Sequence, residues 1–204
     1  MLKLYVNPPK SSWSLRVWIL LKQCGIPFEQ INVAYLDDKA AQRTQFLTFS
    51  PTAKIPVLHY QDQIIWDSLA IVEFIAEHYP HIWAQDWQAR AWSRSACAEM
   101  HAGFEHLRNI CDFRPLDRVE LADITPELAA ELARLDTLWQ QGLTRFGGDY
   151  LAGDRFTAVD AFFVPVALRI ETYGLQHYFS PASLRYQQRL LGLTTLAEWL
   201  AAKR

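Results

Sequence analysis

Every segment of this 204-residue chain that reads as a β-strand falls before Tyr79, and that asymmetry restricts the fold more than any other feature. Leu2–Val6 alternates apolar and polar residues, the period of a strand with one buried face. Residues 12–24 then carry an apolar run long enough for a buried helix, with Gly25 where helices commonly end. A second strand is predicted over 28–33, an exposed and irregular helix over 38–49, and a hairpin whose arms, 57–60 and 64–66, flank Gln61, Asp62 and Gln63. Asp67 and Ser68 open another helix, which runs to about Tyr79 and stops before Pro80. The order β-α-β-α-β-β-α closes a small sheet with helices on its faces. From Asp86 onward the breakers punctuate helices only: Thr125-Pro126 opens one, Gly147-Gly148 closes it, Gly174 closes the next and Ser180-Pro181 opens another. The expected fold class is an α/β domain over 1–79, a linker over 80–86 and an all-α domain over 87–204, packed tightly because the linker is short.

The 20 basic and 22 acidic residues are nearly balanced, so no broad field attracts nucleic acid or an anionic membrane, and neither is an expected partner. No signal with a basic head and apolar core precedes the first strand, and no apolar run approaches membrane-spanning length. A cytoplasmic location is the expectation. Cys24, Cys97 and Cys111 are odd in number and include no Cys-x-x-Cys pair, which points to reduced, mostly buried thiols and to no metal site.

Three short motifs stand at element boundaries. Ile55-Pro56 lies directly before a predicted strand, where proline removes a ladder donor. It is either a trans edge proline or a cis bond that turns the N–H and C=O of Ile55 toward a ligand. Asp67-Ser68 starts a helix behind a strand, and again two readings are open. The pair caps the helix, or the helix N-terminus receives a ligand carboxylate while Asp67 pairs with an ammonium, the combination an α-amino-acid end group requires. The segment from Phe156 to Asp160 reads as a capping box preceded by an apolar residue, and is assigned to folding.

Taken together, these segments resemble the cytosolic glutathione transferase family over essentially the whole chain. Ser11-Ser12-Trp13-Ser14-Leu15-Arg16-Val17 resembles its serine-type active-site turn, and Ser50-Pro51 through Ile55-Pro56-Val57-Leu58 resembles its cis-proline segment. Asp67-Ser68 resembles the acidic-Ser pair that holds the γ-glutamyl end, and Thr157 to Asp160 resembles the capping box of the second domain. The resemblance implies a thioredoxin-like N-terminal domain, a helical C-terminal domain and a two-fold homodimer. It also implies glutathione as co-substrate, a small electrophile as second substrate, and no tightly bound cofactor.

On this resemblance Ile55, Pro56, Asp67 and Ser68 bind glutathione, Lys54 reaches its glycyl carboxylate, and Gln42 lies where the family often places a further contact. The catalytic hydroxyl is Ser11, matching the first serine of the zeta-class turn, or Ser12, matching the spacing of theta-like enzymes; at least one of them caps the helix. Zeta-class isomerases carry Ser-Ser-Cys here, and Trp13 in the cysteine's place argues against maleylacetoacetate isomerisation. Trp13 would instead line the electrophile pocket, with His101, Phe104 and Arg108 of a helix spanning residues 100–108, whose separations of three and four residues place them on one face that is expected to look into the cleft. On that face Arg108 would attract an anionic electrophile. The competing functions are a glutathione-dependent disulfide or peroxide reductase or isomerase, and a non-catalytic scaffold of the same fold. The absence of cysteine between Asn7 and Arg16 argues against a protein-thiol route to reduction, and a scaffold has no need of the hydroxyl and carboxylate positions together.

Overall fold

The computed structural model describes residues 1–202. Its sheet is built from β1 (Leu2–Val6), β2 (Phe28–Asn32), β3 (Val57–Tyr60) and β4 (Gln63–Trp66), in the order β2-β1-β3-β4. β1 pairs parallel with β2, Leu2 opposite Phe28, and antiparallel with β3, Leu4 opposite Leu58; β3 and β4 form the hairpin. The alternation in β1 has its physical cause in burial: Leu2, Leu4 and Val6 face the core while Lys3 faces solvent.

Three helices belong to this half: α1 (Ser12–Gln23), α2 (Lys39–Leu47) and α3 (Ser68–His78). α1 is buried without interruption from Ser14 to Leu21, because one side covers the sheet and another meets the helical half. It ends at Cys24, where Gly25 takes the left-handed conformation (φ 65°) that glycine adopts without a Cβ penalty. α2 is regular, with Asp38 capping it through the amides of Ala40 and Ala41, and only Phe46 of its residues is buried.

The helical half contains α4 (Trp87–Ala102), α5 (Glu105–Ile110), α6 (Pro126–Phe146), α7 (Ala158–Thr172), α8 (Pro181–Leu191) and α9 (Thr194–Leu200). Every residue of α7 except Glu171 is buried, and α7 packs on α1, α4 and α8. One apolar core therefore runs from Leu4 of β1 through α1 to Phe162 and Trp199. The capping box starts α7: both oxygens of the Asp160 carboxylate are engaged, by the Leu151 and Thr157 amides and by the hydroxyls of Thr157 and Tyr186. Among the described residues no helix is long and apolar enough to cross a membrane.

The expectation that residues 100–108 form one helix is corrected here. α4 stops at Ala102, Gly103 caps it in an extended conformation, and Phe104 is left-handed (φ 58°, ψ 44°) before α5 begins. The amides of His106 and Leu107 in α5 are then satisfied by the Glu131 carboxylate of α6, at 3.2 and 2.7 Å. His101 and Arg108 thus stand on different helices.

Candidate functional site

The chain turns sharply after β1, with the amides of Lys10 and Ser11 both donating to the Asn7 carbonyl at 2.9 Å. The Pro8-Pro9 bond in this turn is cis. Ser11 then caps α1: its Oγ accepts from the Ser14 amide at 3.2 Å, and the side chain is almost fully buried. This cap uses a lone pair and leaves the hydroxyl proton available to donate. Ser12 is the first helical residue and is half-buried. The amides of Ser12 and Trp13 lie in the first turn, ahead of any i−4 acceptor, so the positive end of the helix dipole faces the same space.

A cleft of about 540 Å³ opens beside this turn, lined by Trp13, Tyr35, Gln42 and Phe46, by the stretch from Thr52 to Pro56, and by Trp66, Asp67 and Ser68. Of the residues selected from sequence, Trp13, Gln42, Lys54, Ile55, Pro56, Asp67 and Ser68 thus share one wall system. Three local devices build it. Ser50 is buried and knots the loop before Ile55, its Oγ donating to the Lys54 carbonyl at 2.7 Å and accepting from the Lys54 amide at 3.3 Å. The Ile55-Pro56 bond is cis, and Ile55 precedes Val57, the first residue paired to β1. Gln42 accepts from the Leu36 amide through Oε1 at 3.0 Å, which orients its carboxamide and keeps the amide hydrogens for other partners.

At the other end of the cleft Asp67 caps α3, Oδ1 accepting from the Leu69 amide at 2.8 Å. Ser68 follows with its hydroxyl buried and without a hydrogen-bond partner among the described residues. A buried, unpaired hydroxyl costs free energy unless a ligand engages it. Acceptor and donors therefore meet within two residues, a cradle for a zwitterionic end group.

The remaining candidates lie behind Trp13. The Trp13 ring covers the Arg16 guanidinium at 4.2 Å and lies 5.8 Å from that of Arg108, while His101 meets it edge-on at 5.2 Å. Arg16 is buried between Trp13 and Phe162, and burial followed by the nearby Arg169 pushes its guanidinium down to about 9. Arg108 does not project into the cleft: it donates to the carbonyls of Met100, His101 and Gly103 and so caps the C-terminus of α4. Phe104 sits in the core and also lies outside the cleft wall. The expected shared face of His101, Phe104 and Arg108 is thus absent because the helix breaks between them, and His101 instead approaches Asp67, with Nε2 at 3.4 Å from Oδ2.

Sequence reasoning missed Tyr35, Phe46, Thr52, Ala53 and Trp66. Tyr35 lies between β2 and α2; its phenol is pushed up by burial and, to a lesser extent, held down by a hydrogen bond with Ser11. Its hydroxyl thus connects the cleft wall to Ser11, whereas neither Ser11 nor Ser12 is itself among the residues lining the cleft. Only the position of Trp66 beside Asp67 offered a signal, since the last residue of an edge strand commonly borders whatever the next helix N-terminus faces.

Among the described residues no group of three or more His, Cys, Asp or Glu side chains is placed to hold a metal. Burial pushes the Cys24 and Cys111 thiols up to about 11, so they are protonated at neutral pH.

The pattern of the glutathione S-transferase N-terminal domain matches residues 10–78. Glutathione S-transferase 3 of Zea mays is 30% identical over 168 residues, which cover 78% of this chain and 74% of that protein. Glutathione S-transferase Z2 of Arabidopsis thaliana is 28% identical over 167 residues, or 80% of this chain and 74% of the relative. In overall fold the chain resembles the Tau class glutathione S-transferase of mango, Mangifera indica, with a TM-score of 0.76, 18% identity, and coverage of 98% and 93% of the two chains.

Proposed function

This chain belongs to the glutathione S-transferase family, and we propose that it binds glutathione in the cleft between the α1 turn and α3 and activates the thiol with the Ser11 hydroxyl. The observation that carries this reading is the buried Ser68 hydroxyl, unpartnered among the described residues, beside Asp67 at a helix N-terminus in the same cleft as Ile55 and Lys54. Ser68 and the first amides of α3 receive the γ-glutamyl carboxylate, and Asp67 receives the ammonium. The backbone of Ile55 meets the cysteinyl residue, while Lys54 and Gln42 reach the glycyl carboxylate. That orientation brings the sulfur toward the N-terminus of α1.

A free thiol near pKa 8.5 is mostly protonated at neutral pH, so activation means stabilising the thiolate. A hydroxyl hydrogen bond to a charged acceptor contributes about 1.5–3 kcal/mol, or roughly 1–2 pKa units. Ser11 supplies it by turning its O–H from the Tyr35 oxygen to sulfur, since its cap bond to Ser14 uses only a lone pair. The thiolate then forms a C–S bond with the electrophilic carbon. The leaving group departs with its electron pair, or, at an activated alkene, the pair moves to the neighbouring carbon and is protonated by water. Trp13 borders the space for the electrophile. Reduction through a protein thiol is disfavoured, since no cysteine lies at the α1 turn and Cys24 and Cys111 are held protonated. A cytoplasmic homodimer belongs to the same proposal.

Titration of the bound thiolate by its ultraviolet absorbance tests the serine. Glutathione on the wild-type protein should ionise well below its free value, and Ser11→Ala should raise the bound thiol by about 1–2 pKa units. An unchanged value in Ser11→Ala with a raised one in Ser12→Ala would transfer the role to Ser12.

A further inference from the structure

We infer that His101 is a positioning residue for the ammonium end of the glutathione site: as a neutral imidazole it steadies the Asp67 carboxylate, and as a cation it competes with the ligand for that carboxylate. The inference rests on the proposed pairing of Asp67 with the γ-glutamyl ammonium. It adds to that pairing a residue from the helical half and a dependence on pH.

The geometry is specific. Asp67 Oδ1 is committed to the Leu69 amide, and Oδ2 is the oxygen that His101 Nε2 approaches at 3.4 Å. The Asp67 side chain is 49% exposed, so a ligand can reach it beside the imidazole. His101 stands in the last turn of α4 and is three-quarters covered, its ring fixed edge-on against Trp13 at 5.2 Å. Its Nδ1 is buried and without a partner among the described residues. A neutral ring fits these surroundings with its proton on Nε2, the nitrogen nearer the Asp67 carboxylate, and a bare Nδ1 that needs no acceptor.

The charged groups acting on the ring come from three elements: Asp67 at the start of α3, Arg16 of α1 and Arg108 of α5. From α6 and α7, which also pack on α4, no charged side chain among the described residues acts on it. Burial holds the imidazole below its ordinary value; Asp67 opposes this, and Arg16 and Arg108 reinforce it. His101 therefore favours the neutral ring at neutral pH and takes up its proton below the ordinary histidine range.

An imidazolium and a ligand ammonium beside one carboxylate repel each other. Proton uptake by His101 and binding of the ammonium are consequently linked with opposite sign. Occupancy of Asp67 by the ligand pushes the imidazole further down, so affinity falls as pH falls through the titration of the free protein. The ceiling of that loss is about tenfold per pH unit.

The test is calorimetry with S-methylglutathione, which has no titrating thiol, from about pH 7 to about pH 4.5. The wild-type affinity should fall at least about threefold across this range, with a ceiling of about tenfold per pH unit. His101→Gln keeps an N–H donor but cannot charge, and its affinity, whatever its level, should vary by less than about twofold; His101→Asn provides a second uncharged variant should the first misfold. A flat wild-type profile, or the same slope in an uncharged variant, overturns the inference and leaves the glutathione site standing. Failure of the wild type to bind either glutathione or S-methylglutathione at any pH overturns both.

Discussion

Replacing Asp67 with asparagine is expected to weaken glutathione binding by about 10- to 100-fold, the equivalent of losing one charge-assisted hydrogen bond of about 1.5–3 kcal/mol. Two roles converge on this side chain, and two substitutions separate them. Oδ1 caps α3 through Leu69, a bond that an asparagine carbonyl can also accept. Oδ2 faces the cleft and His101, where the asparagine amide would present hydrogens to the incoming ammonium. Asp67→Asn should therefore lose affinity at nearly unchanged stability. Asp67→Ala should lose a similar amount of affinity and, in addition, about 0.5–2 kcal/mol of stability through the missing cap. Calorimetry and denaturant unfolding on the same preparations measure both. Affinity within about twofold of wild type in Asp67→Asn would show that the ammonium lies elsewhere.

Asp160→Ala should destabilise the protein by about 3–5 kcal/mol, more than the loss of a helix cap costs. The carboxylate is fully buried and receives the Thr157 amide at 2.8 Å, the Leu151 amide at 3.1 Å, the Thr157 hydroxyl at 3.1 Å and the Tyr186 hydroxyl at 3.0 Å. Burial pushes its carboxyl up to about 6 against the pull of those donors. With the carboxylate gone the hydroxyls can rotate, but the two amides stay where the backbone holds them and lose their acceptor in a dry core. Because α7 packs on α1, loss of order at its first turn should loosen α1 as well. The shift in urea midpoint measures the cost, and a change below about 1 kcal/mol would contradict it.

The sheet and most helices were legible because their signals are local. Alternation in Leu2–Val6, Asp38 and Thr125 as caps, Pro126 and Pro181 at first turns, and glycines beyond helix ends each act within one or two turns. The break at Gly103-Phe104 was not legible. Glycine within a helix costs only about 1 kcal/mol, and the spacing of His101, Phe104 and Arg108 imitates a continuous face. What decides the break is tertiary: Phe104 is buried in the core, Arg108 turns back onto the α4 carbonyls, and Glu131 caps α5 from another helix. The cleft divides along the same line. Ile55-Pro56 and Asp67-Ser68 stand out because each marks an element boundary by its residue types, a proline before a strand and an acid with a hydroxyl at a helix start. Tyr35 and Thr52 come from loops whose composition is unremarkable, and only the fold brings them to the wall. Which serine caps α1 is a matter of geometry: Ser11 accepts the Ser14 amide, and Ser12 is the first helical residue.

Calorimetric titration of the wild-type protein with glutathione at neutral pH is the most direct measurement. Saturable binding of one glutathione per chain, with a dissociation constant below about 1 mM, or more than about 4 kcal/mol of binding free energy, is the predicted result. No heat of binding at several times that concentration would contradict it and leave a transferase-fold protein that does not use the thiol.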